Sequence, residues 1–182
     1  TRSYSVTGVR RVLFRSWRGR LGAAPAPRIG LIWSGATDRY LERNPRTARS
    51  LPLCALVPLL RLPFAFHALH HEIEPGDAEV LASFPALTSH AGEVRDFADT
   101  AALIDEMDLV IAIDTAAAHL AGALGKPLWV MLPWATDYRW QGDGETTPWY
   151  PAARLFRQGQ AGDWPGVVDR VGAALLAAFP AN

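Results

Sequence analysis

Short apolar runs alternate along this chain with longer stretches in which apolar positions recur three or four residues apart. The runs fall at 29–33, 64–69, 86–90, 109–113, 128–132 and 154–157. Each is too short for a helix and rich enough in apolar residues to read as a strand, the third being the weakest. Between them the helical period predicts a helix from Ser50, its cap, towards Leu60, with Pro52 tolerated in the first turn and Pro58 ending it early or kinking it, then a loop and short helix in 72–85, and a helix in 93–107. In that last helix Asp99 or Thr100 is the expected cap, and Phe97, Leu103, Ile104 and Met107 form the apolar face. A small-residue helix follows Thr115, and a final amphipathic helix runs from Asp163 or Trp164 to Phe179. Strand and helix taking turns in this way predict an α/β fold, a parallel sheet with helices on both faces.

The most informative stretch is DLVIAIDTAAAHLAGALGKP, residues 108–127. A buried strand turns at Asp114-Thr115 into a helix that Gly125 and Pro127 stop. That places Asp114 and Thr115 at the carboxyl edge of the sheet, where open α/β sheets bind ligands. The first amides of the helix and its positive dipole end suit an anion there, and Ala116 to Ala118 allow close backbone approach. His119 lies over the same end of the helix. Two readings stay open on spacing alone: an anion site, or a Thr115 that only caps beside a buried, satisfied His119.

Other corners carry weaker signals. Ser34-Gly35 ends the first strand, where a glycine turn lets amides approach a ligand and a serine can donate to a phosphate. The loop 36–50 holds Arg39, Arg43, Arg46 and Arg49 against only Asp38 and Glu42, and Arg49 is the arginine best placed to meet a phosphate. Asp96 and Asp99 sit near another strand-to-helix corner, where a ribose or an arginine would be held. The histidines of HALHH, residues 67–71, lack an accompanying cysteine or carboxylate set, so no metal site is expected. A long loop, 133–151, carries Trp134, Tyr138, Trp140, Trp149 and Tyr150, which either stack on a ligand or cover the flank of the domain.

Composition narrows the classes. The 182 residues, 49% hydrophobic, bury one good core, and the formal net charge of zero gives no support for a nucleic-acid binder. Residues 1–27 are set apart by Arg2, Arg10, Arg11, Arg15, Arg18 and Arg20 with no acid, followed by an Ala/Pro linker. They read as a segment foreign to the domain or a linker without fixed structure, and the domain is expected over 28–182. A single cysteine, Cys54, excludes an internal disulfide and reads as a small core residue. No apolar run approaches the roughly 18 residues that span a bilayer, so no membrane insertion and a cytoplasmic location are expected. Absent G-x-G-x-x-G, P-loop and G-x-S-x-G motifs disfavour a dinucleotide oxidoreductase, a P-loop NTPase and an α/β-hydrolase.

Taken together, GLIWSG, RSLPL, RDFADTAALI, DLVIAIDTAAAHLAGALGKPLWVMLP, DYRW, TPWYP, RLFRQ and GDW resemble the carboxy-terminal domain of glycosyltransferase family nine, the heptosyltransferase-like group. The likeness runs from Arg28 to about Phe179 and is nearest to the bacterial branch found behind tetratricopeptide repeats. It implies a Rossmann-like parallel sheet with helices on both faces, the C-terminal half of a GT-B fold, gripping a nucleotide-diphosphate sugar for an inverting, metal-independent transfer without a cofactor. It implies that Ser34, Gly35, Thr115 and Ala116 meet the diphosphate, Asp114 and His119 the sugar-phosphate region, His70 the neighbourhood of the base, and Asp96 and Phe97 the nucleoside pocket. Ala116 stands where heptosyltransferases usually have glycine, which bears on donor identity. The family's general base belongs to an amino-terminal acceptor domain, so that domain is an expected partner and this chain alone is expected to be inactive. The alternatives are half of a non-hydrolysing nucleotide-sugar epimerase, or a non-catalytic binding module on the same fold.

Overall fold

The computed structural model describes residues 17–23, 26–35, 43–140 and 143–180. Its centre is a six-stranded sheet in which every neighbouring pair is parallel. The strands are β1 (Arg28–Ile32), β2 (Ala65–Ala68), β3 (Leu87–Ser89), β4 (Leu109–Ile113), β5 (Leu128–Leu132) and β6 (Ala153–Arg157). Their order across the sheet is β3-β2-β1-β4-β5-β6. From β1 the chain steps outward to β2 and β3, then returns to β4 and steps the other way. The reversal lies between β1 and β4, which pair Ile29 with Leu109 through Ile32 with Ala112. At that point the connections leave in opposite directions and a crevice opens at the carboxyl ends.

Side chains alternate across the sheet and build two cores. On one face Leu31, Ile111, Ile113 and Met131 pack under α1 (Val57–Leu60) and α5 (Trp164–Ala178). Helix α5 turns Val167, Val168, Val171 and Leu175 into that core. On the other face Ile32, Val110, Ala112 and Val130 lie under α3 (Phe97–Asp105) and α4 (Ala116–Ala123). All five residues of β4 are buried, as its unbroken apolar run predicts. The remaining short helix, α2 (Ala78–Ser83), follows a 3₁₀ turn at Pro75–Asp77.

Four expectations change. The helix expected over 50–60 is a 3₁₀ turn, Leu53–Leu56, followed by the four residues of α1, and Ser50 caps neither. The prolines explain it: Pro52 stands in extended backbone ahead of the turn, and Pro58 occupies the first turn of α1, where a missing amide costs nothing. Cys54 is exposed rather than in the core, because Leu53 and Leu56 take the inward positions of that turn. Helix α3 is capped by Asp96, not by Asp99 or Thr100: its carboxylate accepts the amides of Ala98 and Asp99 at 2.9 Å each. Phe97, counted on the apolar face of that helix, is 62% exposed, since it is the first residue of α3 and stands at the end that opens on solvent, beyond the buried Leu103 and Ile104.

Structure also extends ahead of Arg28. Residues 17–21 are helical, and Trp17 is buried against the α3 and α4 side of the sheet, edge-on to His90 at 5.2 Å. Arg18 pairs with Glu106 and Arg20 with Glu93.

Candidate functional site

Above the reversal between β1 and β4 lies an open cleft of about 860 Å³. The structure brings all ten residues singled out from sequence into its wall: Ser34, Gly35, Arg49, His70, Asp96, Phe97, Asp114, Thr115, Ala116 and His119. Arg39 lies outside the described residues, and Arg43 is exposed away from the cleft.

The floor is the β4–α4 corner. Thr115 is the N-cap of α4, and its hydroxyl accepts the Ala118 amide at 3.4 Å. The amides of Ala116 and Ala117 stand one turn ahead of any helical acceptor, and both residues line the cleft. Gly35 crosses directly over this corner. A Cβ on it would come within 2.8 Å of Thr115 Cγ2, so the β1 turn and the α4 N-terminus meet only because that position is glycine.

Charge is arranged around the corner. Asp114 is 7% exposed, with Arg49 Nη1 3.9 Å from one carboxylate oxygen and His119 Nε2 3.6 Å from the other. The histidine separation is too long for a hydrogen bond, and among the described residues that nitrogen has no other partner. Burial lowers the His119 pKa against the opposing pull of Asp114, so the ring is neutral at neutral pH. Arg139, from the aromatic loop, adds a second guanidinium to the wall, held at Nε by Asp137 at 2.8 Å.

The far wall is the β2 end and the start of α3. His70 accepts the Trp33 amide through Nε2 at 3.2 Å, which leaves its proton on Nδ1. Burial pushes its pKa down to about 4, with Asp77 pulling it up. That aspartate is held in turn, accepting the Trp33 indole at 2.7 Å and the Leu53 amide at 2.8 Å. Asp96 and Phe97 form the lip, the phenyl ring largely in solvent. His67 faces away from this site and pairs with His90, Nδ1 to Nε2, at 3.0 Å. Among the described residues no set of three His, Cys, Asp or Glu side chains is grouped to hold a metal ion.

Sequence reasoning did not pick out the other wall residues His71, Arg95, Thr100 and Arg139 as site residues. Arg95 and Thr100 flank the Asp96 corner and were within reach of the same argument. Arg139 lay among the loop aromatics with no local signal. The loop itself is divided: Trp140 is fully buried and stacks on His119, whereas Trp134, Tyr138 and Trp149 are exposed.

Residues 84–162 match Glycosyltransferase family 9 (heptosyltransferase). The chain is 32% identical over 170 residues to Protein FlbA of Caulobacter vibrioides, covering 87% of this chain and 27% of that protein. It therefore spans about a quarter of the length of this curated relative. Among solved structures, ADP-heptose lps heptosyltransferase II of E. coli superposes with a TM-score of 0.55 at 17% identity, covering 92% of this chain and 52% of that one. The family 9 glycosyl transferase of Veillonella parvula DSM 2008 gives 0.52 at 13% identity, covering 93% and 52%. At these identities the likeness is one of fold. The stretch that matches the family 9 model, residues 84–162, holds Asp96, Phe97, Asp114, Thr115, Ala116 and His119, and the chain shares the α/β architecture of these two solved structures.

Proposed function

We propose that this chain is the nucleotide-diphosphate-sugar donor domain of an inverting, metal-independent GT-B glycosyltransferase. The acceptor site and the general base belong to a separate amino-terminal domain of a longer bacterial parent, of the branch carrying tetratricopeptide repeats, working in the cytoplasm. The observation that carries the reading is convergence: ten residues chosen from separate parts of the sequence line one open cleft at the β1/β4 reversal. Its volume, about 860 Å³, lies within the usual range of small-molecule sites, about 300–1,000 Å³.

In this reading the amides of Ala116 and Ala117, the Ser34 hydroxyl and the guanidinium of Arg49 receive the diphosphate. Asp114 and His119 stand next to the sugar-phosphate, and His70, Asp96 and Phe97 next to the nucleoside. As the acceptor oxygen bonds to the anomeric carbon, the bond from that carbon to the diphosphate oxygen breaks and negative charge grows on the leaving group. The helix N-terminus is already oriented toward that charge, so it stabilises the transition state more than the ground state. The acceptor proton passes to the base in the other domain.

Amide NMR with ADP and with UDP tests this. Perturbations centred on Thr115, Ala116 and Ala117 are expected, with roughly micromolar-to-millimolar affinity. Undisturbed amides there at saturating concentrations of both nucleotides would overturn the reading. The binding-module alternative calls for exposed tryptophans in one apolar patch together with a pocket closed to nucleotides; Trp134 and Trp149 are exposed, and the cleft is open. Rejoining the chain to its amino-terminal domain separates the epimerase, since only an epimerase would convert a donor sugar with no acceptor present.

A further inference from the structure

One side chain acts on the cleft without lining it. Tyr150, from the aromatic loop, lays its ring against α4 at Gly122, where a Cβ would come within 2.5 Å of the ring carbons. From that seat its hydroxyl stands 2.9 Å from His119 Nδ1. Trp140 stacks on one face of the imidazole, centroids 4.8 Å apart and planes 13° from parallel. The ring is thus held in one orientation, with Nε2 buried and 3.6 Å from Asp114 Oδ1. A nitrogen lone pair facing a carboxylate is repelled, whereas an N–H is attracted. Nε2 therefore carries the proton, Nδ1 is the acceptor, and the tyrosine hydroxyl is the donor.

We propose that Tyr150 is a positioning residue of the cleft: by donating to His119 Nδ1 it keeps that ring neutral, with its Nε2 proton directed at Asp114 beside the start of α4. The charged groups facing the ring are Asp114 from the end of β4, and Arg139 and Asp137 from the aromatic loop. The two aspartates favour the imidazolium, and the hydroxyl donated to Nδ1 opposes them. A neutral ring, 3.6 Å away, leaves the charge of the Asp114 carboxylate uncancelled. The carboxylate then remains an acceptor for a ligand hydroxyl next to the amides that receive the anion. Only this consequence for the ligand rests on the donor-site reading; the proton placement rests on the contacts themselves.

Imidazole ¹⁵N NMR of the whole chain, with an ADP titration beside it, tests the proposal. At pH 7 the His119 signals are expected to be those of a neutral ring protonated at Nε2. In Tyr150→Phe a bond that favoured the neutral form is lost, so the His119 titration midpoint rises by about one pH unit. Gly122→Ala keeps the hydroxyl but displaces the ring, and moves the midpoint in the same direction. An Nδ1-protonated or charged ring in the unaltered chain overturns the proposal. So does a midpoint unmoved in Tyr150→Phe while only its melting temperature falls, which would make Tyr150 a packing residue. Failure of the unaltered chain to bind ADP overturns the donor reading instead, and the ¹⁵N measurements still decide the role of Tyr150.

Discussion

Two strand-to-helix corners face each other across the cleft, and they treat their helix N-termini differently. At α3 the cap is charged: one oxygen of Asp96 takes the amides of both Ala98 and Asp99. At α4 the cap is neutral: Thr115 takes only the Ala118 amide, by a longer bond. Each helix begins with a few amides that its own ladder cannot reach. The α3 corner answers most of them with its own carboxylate, which also occupies the positive end of the dipole. At α4 the amides of Ala116 and Ala117 are left to the cleft. Two guanidiniums, Arg49 and Arg139, line the cleft there, the first 3.9 Å from Asp114 and the second paired with Asp137. Whether a helix start is structural or receptive is thus decided by the cap, one residue ahead of it.

Exchanging the caps is the strongest way to break this contrast. Thr115→Asp gives α4 the cap that α3 has, and puts a negative charge where the diphosphate is proposed to lie. The expected result is ADP binding weakened thirtyfold or more, about 2 kcal/mol, with thermal stability kept or raised. A variant that still binds ADP normally would show that the amides of α4 are not the anion site. Phe97→Ala comes next. The ring is largely in solvent, so its loss should leave stability within about 0.5 kcal/mol. If it stacks on the nucleobase, ADP affinity falls roughly tenfold, at the low end of base-stacking contributions. Calorimetric titration of both variants beside thermal melts separates binding from folding. Asp96→Ala should reverse the pattern, costing about 1 kcal/mol of stability through the lost cap while changing ADP affinity less than Phe97→Ala does.

The contrast between the corners also shows what a sequence can reveal. The β4–α4 corner was legible because its signals are local: a β-branched run, a Thr cap, small residues, then glycine and proline, all within 108–127. The parallel sheet followed from the same periodicity. At 50–60 the break beside Pro58 was legible and its form was not: a 3₁₀ turn ends at Leu56 and α1 begins at Val57 with the proline in its first turn. Trp17 was hidden by its basic surroundings; the burial of one large aromatic depends on a partner, His90, far along the chain. The Tyr150–His119 bond spans 31 positions and leaves no trace in local pattern. What tertiary packing decides, including which aromatics of the 133–151 loop turn inward, is not encoded at any spacing within that loop.

Acid offers the gentlest probe of the two corners, because they respond in different pH ranges. At the α3 corner Asp99 accepts from Arg95 Nε at 2.9 Å, and that bond lowers its pKa below the ordinary carboxylate value. The folded chain then holds this proton less readily than the unfolded one. The stabilisation is complete above the unfolded carboxylate value, near about 4, and disappears only as the pH falls below that through the folded value. At the α4 corner burial lowers the His119 pKa. The unfolded histidine begins to take up protons near about pH 6.5 while the folded ring resists, so stability declines from there downward. His70, buried to a pKa of about 4, adds to the same decline. His67 and His90, lowered chiefly by burial as well, act in the same direction from outside the cleft. The melting temperature should therefore fall between pH 7 and 5 while the Arg95–Asp99 pair is still intact, and Asp99→Asn should leave that first decline in place. In Tyr150→Phe the His119 midpoint lies nearer its unfolded value, so the share of the decline due to His119 shrinks. A melting temperature flat from pH 7 to 5, or a decline first appearing below pH 4, would mean that the buried rings accept protons as freely as exposed ones.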